Sequence, residues 1–240
     1  MKIKRNKLVA GITLVELLVS IFIIMTITAV VVYNHRAFTD NLEITNLAFD
    51  IALHIRESQV EGIAVRPGPT EQFQNAFGVY FFIGNGGNSS AFIRFVDLND
   101  GGLGDPDGLY NGGFDYCAGS EECLNQIDIG RGNRISHICW KDNNGDFRCR
   151  RPHPTAPSSP PKGVSITFLR PKPDATIKFL NNGGQLCGDE ECDDSKREAV
   201  VCLESPLGKK KSVHVLPTGQ ISVQNGEGCV SGGVGGGPSF

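Results

Sequence analysis

One uninterrupted apolar segment limits the possible folds of this chain more than any other feature. From Ile12 to Tyr33 the sequence runs for 22 residues with Glu16 as its only charged side chain. A helix of that length is roughly 33 Å long, which is enough to cross a hydrocarbon core of roughly 30 Å. The segment therefore predicts a membrane-spanning helix. A carboxylate inside such a helix costs on the order of a few kcal/mol at the bilayer centre, so Glu16 requires a partner or a purpose.

Charged residues are distributed asymmetrically around this segment. Four basic residues precede it, at Lys2, Lys4, Arg5 and Lys7. Because basic flanks stay on the cytoplasmic side, we expect a cytoplasmic amino terminus and a translocated carboxyl-terminal region. A secretory leader has a shorter apolar region, about 7–15 residues, followed by a small-residue cleavage site. Here no such site follows Tyr33, and the small residue, Gly11, precedes the apolar segment.

This order of features resembles the class III leader of type IV prepilins and type II secretion pseudopilins. The match runs through Gly11-Ile12-Thr13-Leu14-Val15-Glu16. The resemblance implies that prepilin peptidase cuts between Gly11 and Ile12 and methylates the new amine of Ile12. It also implies that Glu16 is an assembly carboxylate, which pairs with the amino-terminal ammonium of a neighbouring subunit in a filament. An ordinary signal anchor that carries a glutamate is the alternative.

The helix is predicted to continue beyond the apolar segment. Aliphatic residues recur at helical spacing, through Ile44, Leu47, Ala48, Ile51, Ala52 and Ile55. The segment Arg66-Pro67-Gly68-Pro69 ends this pattern, because proline cannot continue a helix and disfavours it at the preceding residue. We therefore expect the helix to end by about Val65.

Beyond Pro69 the hydrophobic period changes from helical to extended. Short runs rich in β-branched and aromatic residues predict strands at 77–82, 91–96, 164–168, 199–203 and 212–216. A Pro-Thr-Gly-Gln sequence at 217–220 predicts a tight turn to a last strand at 221–223. The segment 152–163 contains five prolines and is predicted to be a loop between two halves of the sheet region.

These features predict an α+β chain, and the resemblance implies the pilin fold, in which a long amino-terminal helix packs on a carboxyl-terminal antiparallel β-sheet domain with disulfide-pinned loops. The expected parts are a cleaved leader, 1–11, a transmembrane or filament-core helix, 12–35, the amphipathic second half of the helix, 36–66, a β-rich periplasmic or extracellular domain, 67–230, and a Gly-rich flexible tail, 231–240.

The end of the predicted helix narrows the resemblance to the GspH/FimT-like group of minor pseudopilins. That group has an aliphatic-x-x-Ile-Arg-x-x-Gln-x-x-Gly-Ile pattern there, and a similar course is followed by Leu53, Ile55, Arg56, Gln59, Gly62 and Ile63. The strand-like run from Phe77, the Asp-rich turn after Val96 and the closing hairpin are also similar to that group.

Eight cysteines follow the apolar segment, at Cys117, Cys123, Cys139, Cys149, Cys187, Cys192, Cys202 and Cys229. An even number in an exported domain indicates disulfides. Many pairings are open, and proximity in sequence favours Cys117–Cys123, Cys139–Cys149, Cys187–Cys192 and Cys202–Cys229. Each short bridge would stabilise one loop by about 2–3 kcal/mol. A zinc site is the alternative, although no pair has Cys-x-x-Cys spacing and no histidine lies at zinc-finger distance.

Two Asp- and Asn-rich segments, 97–107 and 142–146, offer oxygen ligands in the manner of calcium loops. Neither has EF-hand spacing, because Gly101 occupies the fifth position of the first and no glutamate closes either segment. Turns that need Asp, Asn and Gly for their backbone conformation explain the same residues. Some pseudopilins bind calcium, so calcium stays open as an alternative, and no other cofactor is predicted.

The resemblance implies a structural function, as a minor pilin or pseudopilin subunit of a type IV pilus or a type II secretion pseudopilus. Such a subunit acts in filament initiation at the tip, protein secretion or surface adhesion. The implied partners are other pilin or pseudopilin subunits, prepilin peptidase, the inner-membrane assembly platform and membrane lipid. The implied location is the cytoplasmic (inner) membrane, as a single-pass protein with its carboxyl-terminal domain periplasmic or extracellular.

Two further function classes are less favoured by the sequence. A DNA-binding minor pilin would use the triplet Lys209-Lys210-Lys211, but loss of the basic leader residues changes the formal net charge from −3 to −7. Such a triplet in an acidic chain is typical of a solvated turn, so nucleic acid is not an expected partner. An enzyme is not expected either, because the five histidines accompany no nucleophile motif and the Gly-rich stretches lack phosphate-binding spacing.

Overall fold

One long helix and ten strands form among the residues that the computed structural model describes. These residues are 11–64, 75–83, 89–98, 106–112, 117, 120–141, 147–150, 163–180, 198–226 and 228–229. Helix α1 spans Leu14–Ile63. The strands are β1 (Ala76–Phe82), β2 (Ala91–Asp97), β3 (Cys123–Asp128), β4 (Arg134–Lys141), β5 (Phe147–Arg150), β6 (Gly163–Phe168), β7 (Ala175–Leu180), β8 (Ala199–Glu204), β9 (Lys210–Val215) and β10 (Ile221–Gln224).

The predicted α+β class is confirmed, because the long apolar helix is followed by antiparallel strands. The helix ends at Ile63, close to the predicted limit at Val65. The predicted terminal hairpin is also present. Its turn is closed by hydrogen bonds between Leu216 and Gln220 and between Leu216 and Gly219, and Gly219 has a φ of 79° that favours glycine.

The strands form two sheets, where the sequence predicted one. The first sheet has the order β3-β2-β1-β6-β7, and the second has the order β10-β9-β8-β4-β5. A bridge between Ser89 and Ile135 joins them, with paired backbone hydrogen bonds of 3.1 and 2.8 Å. The proline-rich segment 152–163 lies outside the described residues except for Gly163, which begins β6.

Four strands, β3, β4, β5 and β7, were not predicted. All six residues of strand β3 are exposed or half-buried, so a pattern based on buried apolar residues does not detect it. Strand β4 is buried on both faces, yet it places Ser136 and His137 among its apolar residues. In a strand that is buried on both faces, apolar residues do not alternate with polar ones, so the two-residue hydrophobic period that predicts a strand is weak.

The chain divides into two compact units, 1–40 and 41–240, and α1 contributes to both. In the first unit the apolar helix surface from Leu14 to Tyr33 is exposed. In the second unit one face of the helix is fully buried, through Ile44, Ala48, Ile51 and Ile55. Burial of a single isoleucine contributes about 1.5–3 kcal/mol relative to exposure, so this face is a main source of stability in the second unit.

The core of the second unit joins the buried helix face to the inner faces of both sheets. The first sheet contributes Val79, Phe81, Phe92, Val164, Ile166, Phe168, Ile177 and Phe179, and the second contributes Ile135, Ile138, Trp140, Ala199, Val201, Leu203, Val213 and Val215. Rings from the two sheets meet directly, because Trp140 and Phe179 have centroids 5.7 Å apart.

The last turns of α1 are fixed to two loops by one side-chain amide. Gln59 Nε2 donates to the carbonyl oxygens of Pro173 and Gly219, at 2.8 and 3.1 Å. Its Oε1 accepts a hydrogen bond from Arg56 Nη1. One turn later Gly62 lies against β6, where a Cβ atom would be 2.3 Å from the carbonyl oxygen of Phe168. The helix therefore approaches the first sheet at a distance that only glycine permits.

We expect Gly62→Ala to destabilise the second unit by about 1–3 kcal/mol, because the new methyl group overlaps a backbone carbonyl. Helix propensity alone predicts the opposite sign, a gain of about 1 kcal/mol. Urea unfolding of the detergent-solubilised full chain, followed by fluorescence of Trp140, the only tryptophan, measures the change. Gly130→Ala is the matched control, since no atom lies within 4 Å of its added Cβ. A Gly62→Ala protein as stable as the control would contradict the close approach.

Candidate functional site

The residues of the predicted processing site lie at the start of α1. Gly11, Ile12 and Thr13 are exposed and precede the helix. The backbone amide of Glu16 donates a hydrogen bond to Thr13 Oγ1 at 3.2 Å. Thr13 is therefore the N-cap residue of α1, and Glu16 occupies the third helical position, as in a capping box.

This geometry adds a local role for Glu16 to the assembly role that the resemblance implies. A carboxylate in the first turn lies near the positive end of the helix dipole, which contributes about 0.3–1 kcal/mol. The Thr-x-x-Glu spacing at Thr13 and Glu16 is the sequence signal for this role. A cap explains an acidic residue at this position, but glutamine serves a capping box equally well, so the negative charge itself is not required by the cap.

Gly11 is not required by the packing of the described chain. No atom lies within 4 Å of the position that its Cβ would occupy, and Gly11 is not among the glycines with positive φ. Either a close contact or a left-handed backbone would have explained a glycine here. The described part of the chain therefore gives no structural reason for a glycine at position 11, which is compatible with a requirement set by another molecule that contacts this segment.

Helix α1 is long and apolar enough to cross a membrane. Three hydroxyl groups in its apolar part are bonded to carbonyl oxygens of the preceding turn. They are Ser20 Oγ to Glu16 O at 2.7 Å, Thr26 Oγ1 to Ile23 O at 2.9 Å, and Thr28 Oγ1 to Ile24 O at 2.7 Å. Because each hydroxyl proton is used within the helix, these side chains are compatible with a lipid environment.

A second apolar surface lies on the part of α1 that belongs to the second unit. It consists of Leu42, Phe49, Leu53 and Val60, which are 45–64% exposed. Their spacing of seven, four and seven residues keeps them on one side of the helix. We call these four residues the exposed stripe. The helix therefore has apolar residues both on its buried face and on a face that the described part of the second unit leaves open.

A buried arginine connects the first sheet to carboxylates on α1. Arg94 on β2 is 8% exposed, and its guanidinium pairs with Glu61 at 2.7 Å and Glu57 at 3.1 Å. His54 lies 3.4 Å from the same Glu57 carboxylate. A buried guanidinium without its carboxylates would be strongly destabilising, so this network restricts how the helix can lie on β2.

The carboxylate of Asp97 is buried at the end of β2 under the loop that follows it. Asp97 is fully buried, and its Oδ2 accepts the amide hydrogen of Gly108 at 2.5 Å. Its Oδ1 has no hydrogen-bond partner in the described part of the chain. The pKa of Asp97 is raised to about 7, chiefly by burial. The hydrogen bond from the Gly108 amide lowers the pKa, and the nearby carboxylates of Asp107 and Glu122 raise it.

Glu122 holds the same loop against the sheet. Its Oε1 accepts the amide of Leu98 at 3.2 Å, and its Oε2 accepts the amide of Asn111 at 2.7 Å. The adjacent disulfide Cys117–Cys123 ties the loop to β3. The predicted calcium residues Asp97, at the end of β2, and Asp107, in the described part of the loop, thus both accept hydrogen bonds from backbone amides of that loop.

Calcium is not supported by the geometry of these residues. Within the described ranges, no three His, Cys, Asp or Glu side chains converge in a way that could hold a metal ion. The other oxygen-bearing residues of the first predicted loop, Asn99, Asp100 and Asp105, and the whole of 142–146 lie outside those ranges. The calcium alternative therefore remains a prediction from sequence.

The described residues form three disulfides, Cys117–Cys123, Cys139–Cys149 and Cys202–Cys229. They are three of the four pairs that sequence proximity favours. The fourth predicted pair, Cys187–Cys192, lies outside the described residues. Two of the disulfides are neighbours on the outer face of the second sheet, with Val200 packed among their sulfurs.

A Ser-His-Glu arrangement that the sequence did not reveal lies in the second sheet. His214 Nδ1 is 2.5 Å from Glu198 Oε1, and His214 Nε2 is 3.0 Å from Ser212 Oγ. Ser212 is fully buried and His214 is 1% exposed, so no substrate reaches the hydroxyl in this conformation. The three residues satisfy one another's hydrogen bonds inside the sheet, which is a structural role.

The lysine triplet lies at the start of β9. Lys209 and Lys210 are exposed, while Lys211 Nζ donates to Asn225 Oδ1 at 2.5 Å. The backbone amide of Lys209 closes the preceding turn onto Ser205 Oγ at 3.0 Å. These contacts are those of a solvated hairpin turn.

Comparisons with known proteins give no match to any family model, curated protein or solved structure. The pilin resemblance consequently rests on the chain's own residues, chiefly 11–16.

We expect the stability of the second unit to fall as the pH rises from about 4 to about 7. Asp97 binds a proton more tightly in the folded chain than in the unfolded one, so the unfolded state is favoured increasingly until the folded pKa of about 7 is passed. The loss is roughly 1–4 kcal/mol at about 1.4 kcal/mol per pKa unit. Asp97→Asn removes this titration and flattens that part of the profile.

Urea unfolding at a series of pH values measures this effect in the full chain. Asp128→Asn is the control, because Asp128 is an exposed carboxylate at the end of β3. We expect Asp128→Asn to keep the wild-type pH profile. If Asp97→Asn keeps that profile too, the assignment to Asp97 is wrong.

Proposed function

We propose that this protein is a minor pilin or pseudopilin of the GspH/FimT-like group. In this proposal prepilin peptidase cuts the chain between Gly11 and Ile12, and the processed protein is assembled into a type IV pilus or a type II secretion pseudopilus. The observation that carries the proposal is a glycine that the described chain does not itself require, placed directly before a Thr-capped apolar helix with Glu16 in its first turn.

The position of the cap supports a cut at this bond. The helix begins at Leu14, so hydrolysis between Gly11 and Ile12 leaves the whole of α1 and its N-cap residue, Thr13, on the processed chain. The scissile peptide bond lies in exposed, non-helical backbone. A peptidase can bind such a segment in extended form without first unwinding a helix, which would break backbone hydrogen bonds.

The proposed role of Glu16 combines capping with assembly. In the processed chain it is the fifth residue, and its carboxylate would pair with the ammonium group of Ile12 in a neighbouring subunit. In the low-dielectric interior of a membrane or a helical filament an unpaired carboxylate is expensive, so the pair would set the axial register of adjacent helices.

The exposed stripe supports assembly through α1. Leu42, Phe49, Leu53 and Val60 form an apolar side of the helix that the described part of the second unit does not cover. A neighbouring helix would bury this stripe together with the apolar first half of α1. The partners in this proposal are other pilin or pseudopilin subunits, and before assembly also prepilin peptidase, membrane lipid and the inner-membrane assembly platform.

The proposed location follows from the same residues. The chain would cross the cytoplasmic membrane once, with Lys2, Lys4, Arg5 and Lys7 on the cytoplasmic side. The second unit would then be periplasmic or, in an extended filament, extracellular, where disulfides persist.

Processing is tested by intact mass and amino-terminal sequencing of membrane-extracted protein, with and without a co-expressed prepilin peptidase. We expect a start at N-methylated Ile12 only when the peptidase is present. Gly11→Leu should remain unprocessed, because a large side chain is tolerated by the chain but not by an enzyme that requires glycine there. Gly130→Leu, another substitution into open space, should be processed normally. An unprocessed wild-type chain in the presence of the peptidase would refute the proposal.

Assembly is tested with two variants that separate the charge of Glu16 from its cap. Glu16→Gln keeps a capping residue but removes the charge, and we expect it to be processed yet to lower incorporation into filaments by at least about tenfold, since breaking a buried charge pair costs about 3–5 kcal/mol. Thr13→Ala removes the cap at a cost of about 1 kcal/mol and keeps the charge, so it should assemble. Recovery of subunits in sheared filaments is the measurement. Normal assembly of Glu16→Gln would exclude the register role.

A further inference from the structure

Four sulfur atoms form one cluster on the outer face of the second sheet. The disulfide Cys139–Cys149 joins directly opposite residues of β4 and β5, and Cys202–Cys229 joins β8 to the segment beyond β10. Strands β4 and β8 are neighbours, and Cys139 Sγ lies 3.6 Å from Cys202 Sγ. We call these four residues the sulfur cluster. Its two disulfides are in van der Waals contact.

The four sulfurs differ in how they are covered. Cys139 and Cys202 are fully buried, and Cys229 is 1% exposed. Cys149 is half-buried, and it belongs to β5, the last strand of the second sheet. An external thiol therefore reaches the cluster most readily at Cys149 Sγ, since exchange requires access to the sulfur that is attacked.

We propose that the sulfur cluster is a thiol relay, in which reduction at Cys149 is passed through Cys139 to the Cys202–Cys229 bond. We call the exchange between Cys139 and Cys202, the two buried cysteines whose sulfurs are in contact, the inner step. The result is a new Cys139–Cys202 disulfide and free thiols at Cys149 and Cys229.

Each step of the relay is an ordinary thiol–disulfide exchange. A thiolate of a dithiol reductant attacks Cys149 Sγ and forms a mixed disulfide, and the electron pair of the broken bond leaves on Cys139 Sγ. The Cys139 thiolate attacks Cys202 Sγ, forms the Cys139–Cys202 bond and displaces Cys229 as a thiolate, which takes a proton from solvent. The second thiol of the reductant then releases Cys149 as a thiol and leaves the reductant oxidised. The protein gains two electrons and two protons in total.

The geometry favours the inner step over simple reduction of one disulfide. The atom that becomes a thiolate when Cys149 is attacked is the atom already touching the second disulfide. It must approach Cys202 Sγ by only about 1.5 Å to reach bonding distance. The bond that breaks is the covalent tie between β8 and the chain beyond β10. A reductant acting at the sheet edge would thus release a segment whose own disulfide is buried.

Two matched variants test the relay, because each removes the same disulfide but leaves a different cysteine. In Cys149→Ser the remaining thiol is Cys139, and we expect a Cys139–Cys202 bond with Cys229 free. In Cys139→Ser the remaining thiol is Cys149, and we expect Cys202–Cys229 to be retained. Full-length protein made in an oxidising compartment is blocked with N-ethylmaleimide and digested with trypsin without reduction. Cleavage after Arg134, Lys141, Arg148, Arg197 and Lys211 places the four cysteines in separate peptides for mass spectrometry.

The wild-type chain provides a test that does not depend on the folding of a variant. Limiting dithiothreitol, about one equivalent per cluster, is followed by the same blocking and mapping. We expect label on Cys149 and Cys229 and a linked Cys139–Cys202 peptide as the main product from the cluster. Two outcomes would overturn the proposal. One is a wild-type protein labelled on Cys139 and Cys149 with Cys202–Cys229 intact. The other is a Cys149→Ser protein labelled on Cys139 with Cys202–Cys229 intact. Exchange in Cys139→Ser equal to that in Cys149→Ser would also overturn it, because the contact would then not direct the reaction.

Discussion

The fixed position of the second half of α1 on the two sheets is the constraint on which the second unit depends. Ile44, Ala48, Ile51 and Ile55 supply the helix side of a core whose other sides are the inner faces of both sheets. Hydrophobic burial has no direction, so polar and steric contacts must select one register. The hydrogen bonds of the Gln59 amide and the ion pairs of Arg94 are the polar contacts that fix the helix in one position. Gly62 is the steric contact, because only a residue without a side chain fits there against β6.

Burial of one helix face leaves the outer faces of the sheets to be covered by other means. The outer face of the first sheet lies under the loop that Glu122 and Cys117–Cys123 hold in place. The outer face of the second sheet carries two disulfides and the fully satisfied His214 arrangement. In the first sheet Tyr110 packs on Tyr80 and Phe95, and the hydrogen bonds to carboxylates and the disulfide hold this apolar cover in place. In the second sheet the disulfides themselves form part of the cover.

Sequence patterns predicted the parts of this fold in which local signals and tertiary environment agree. The apolar run, the proline stop after Ile63 and the 217–220 turn each carry a local physical cause, and each has its counterpart in the structure. Strand β4 was missed because both of its faces are buried and because Ser136 and His137 interrupt its apolar residues, so it has no two-residue hydrophobic period. The burial of Asp97 and the meeting of Cys139 with Cys202 could not be predicted either, since both depend on which strands become neighbours.

Glu16 and Asp97 show how the environment of a carboxylate decides its role. Glu16 is exposed in the single chain and its cap needs no charge, so a requirement for a carboxylate there would be evidence of a partner. Asp97 is buried by its own chain, and this burial raises its pKa and makes its ionised form destabilising to the fold. Replacement by the neutral amide should therefore act in opposite directions: at Glu16 it would remove an intermolecular attraction, whereas at Asp97 it would remove an intramolecular penalty above pH 7.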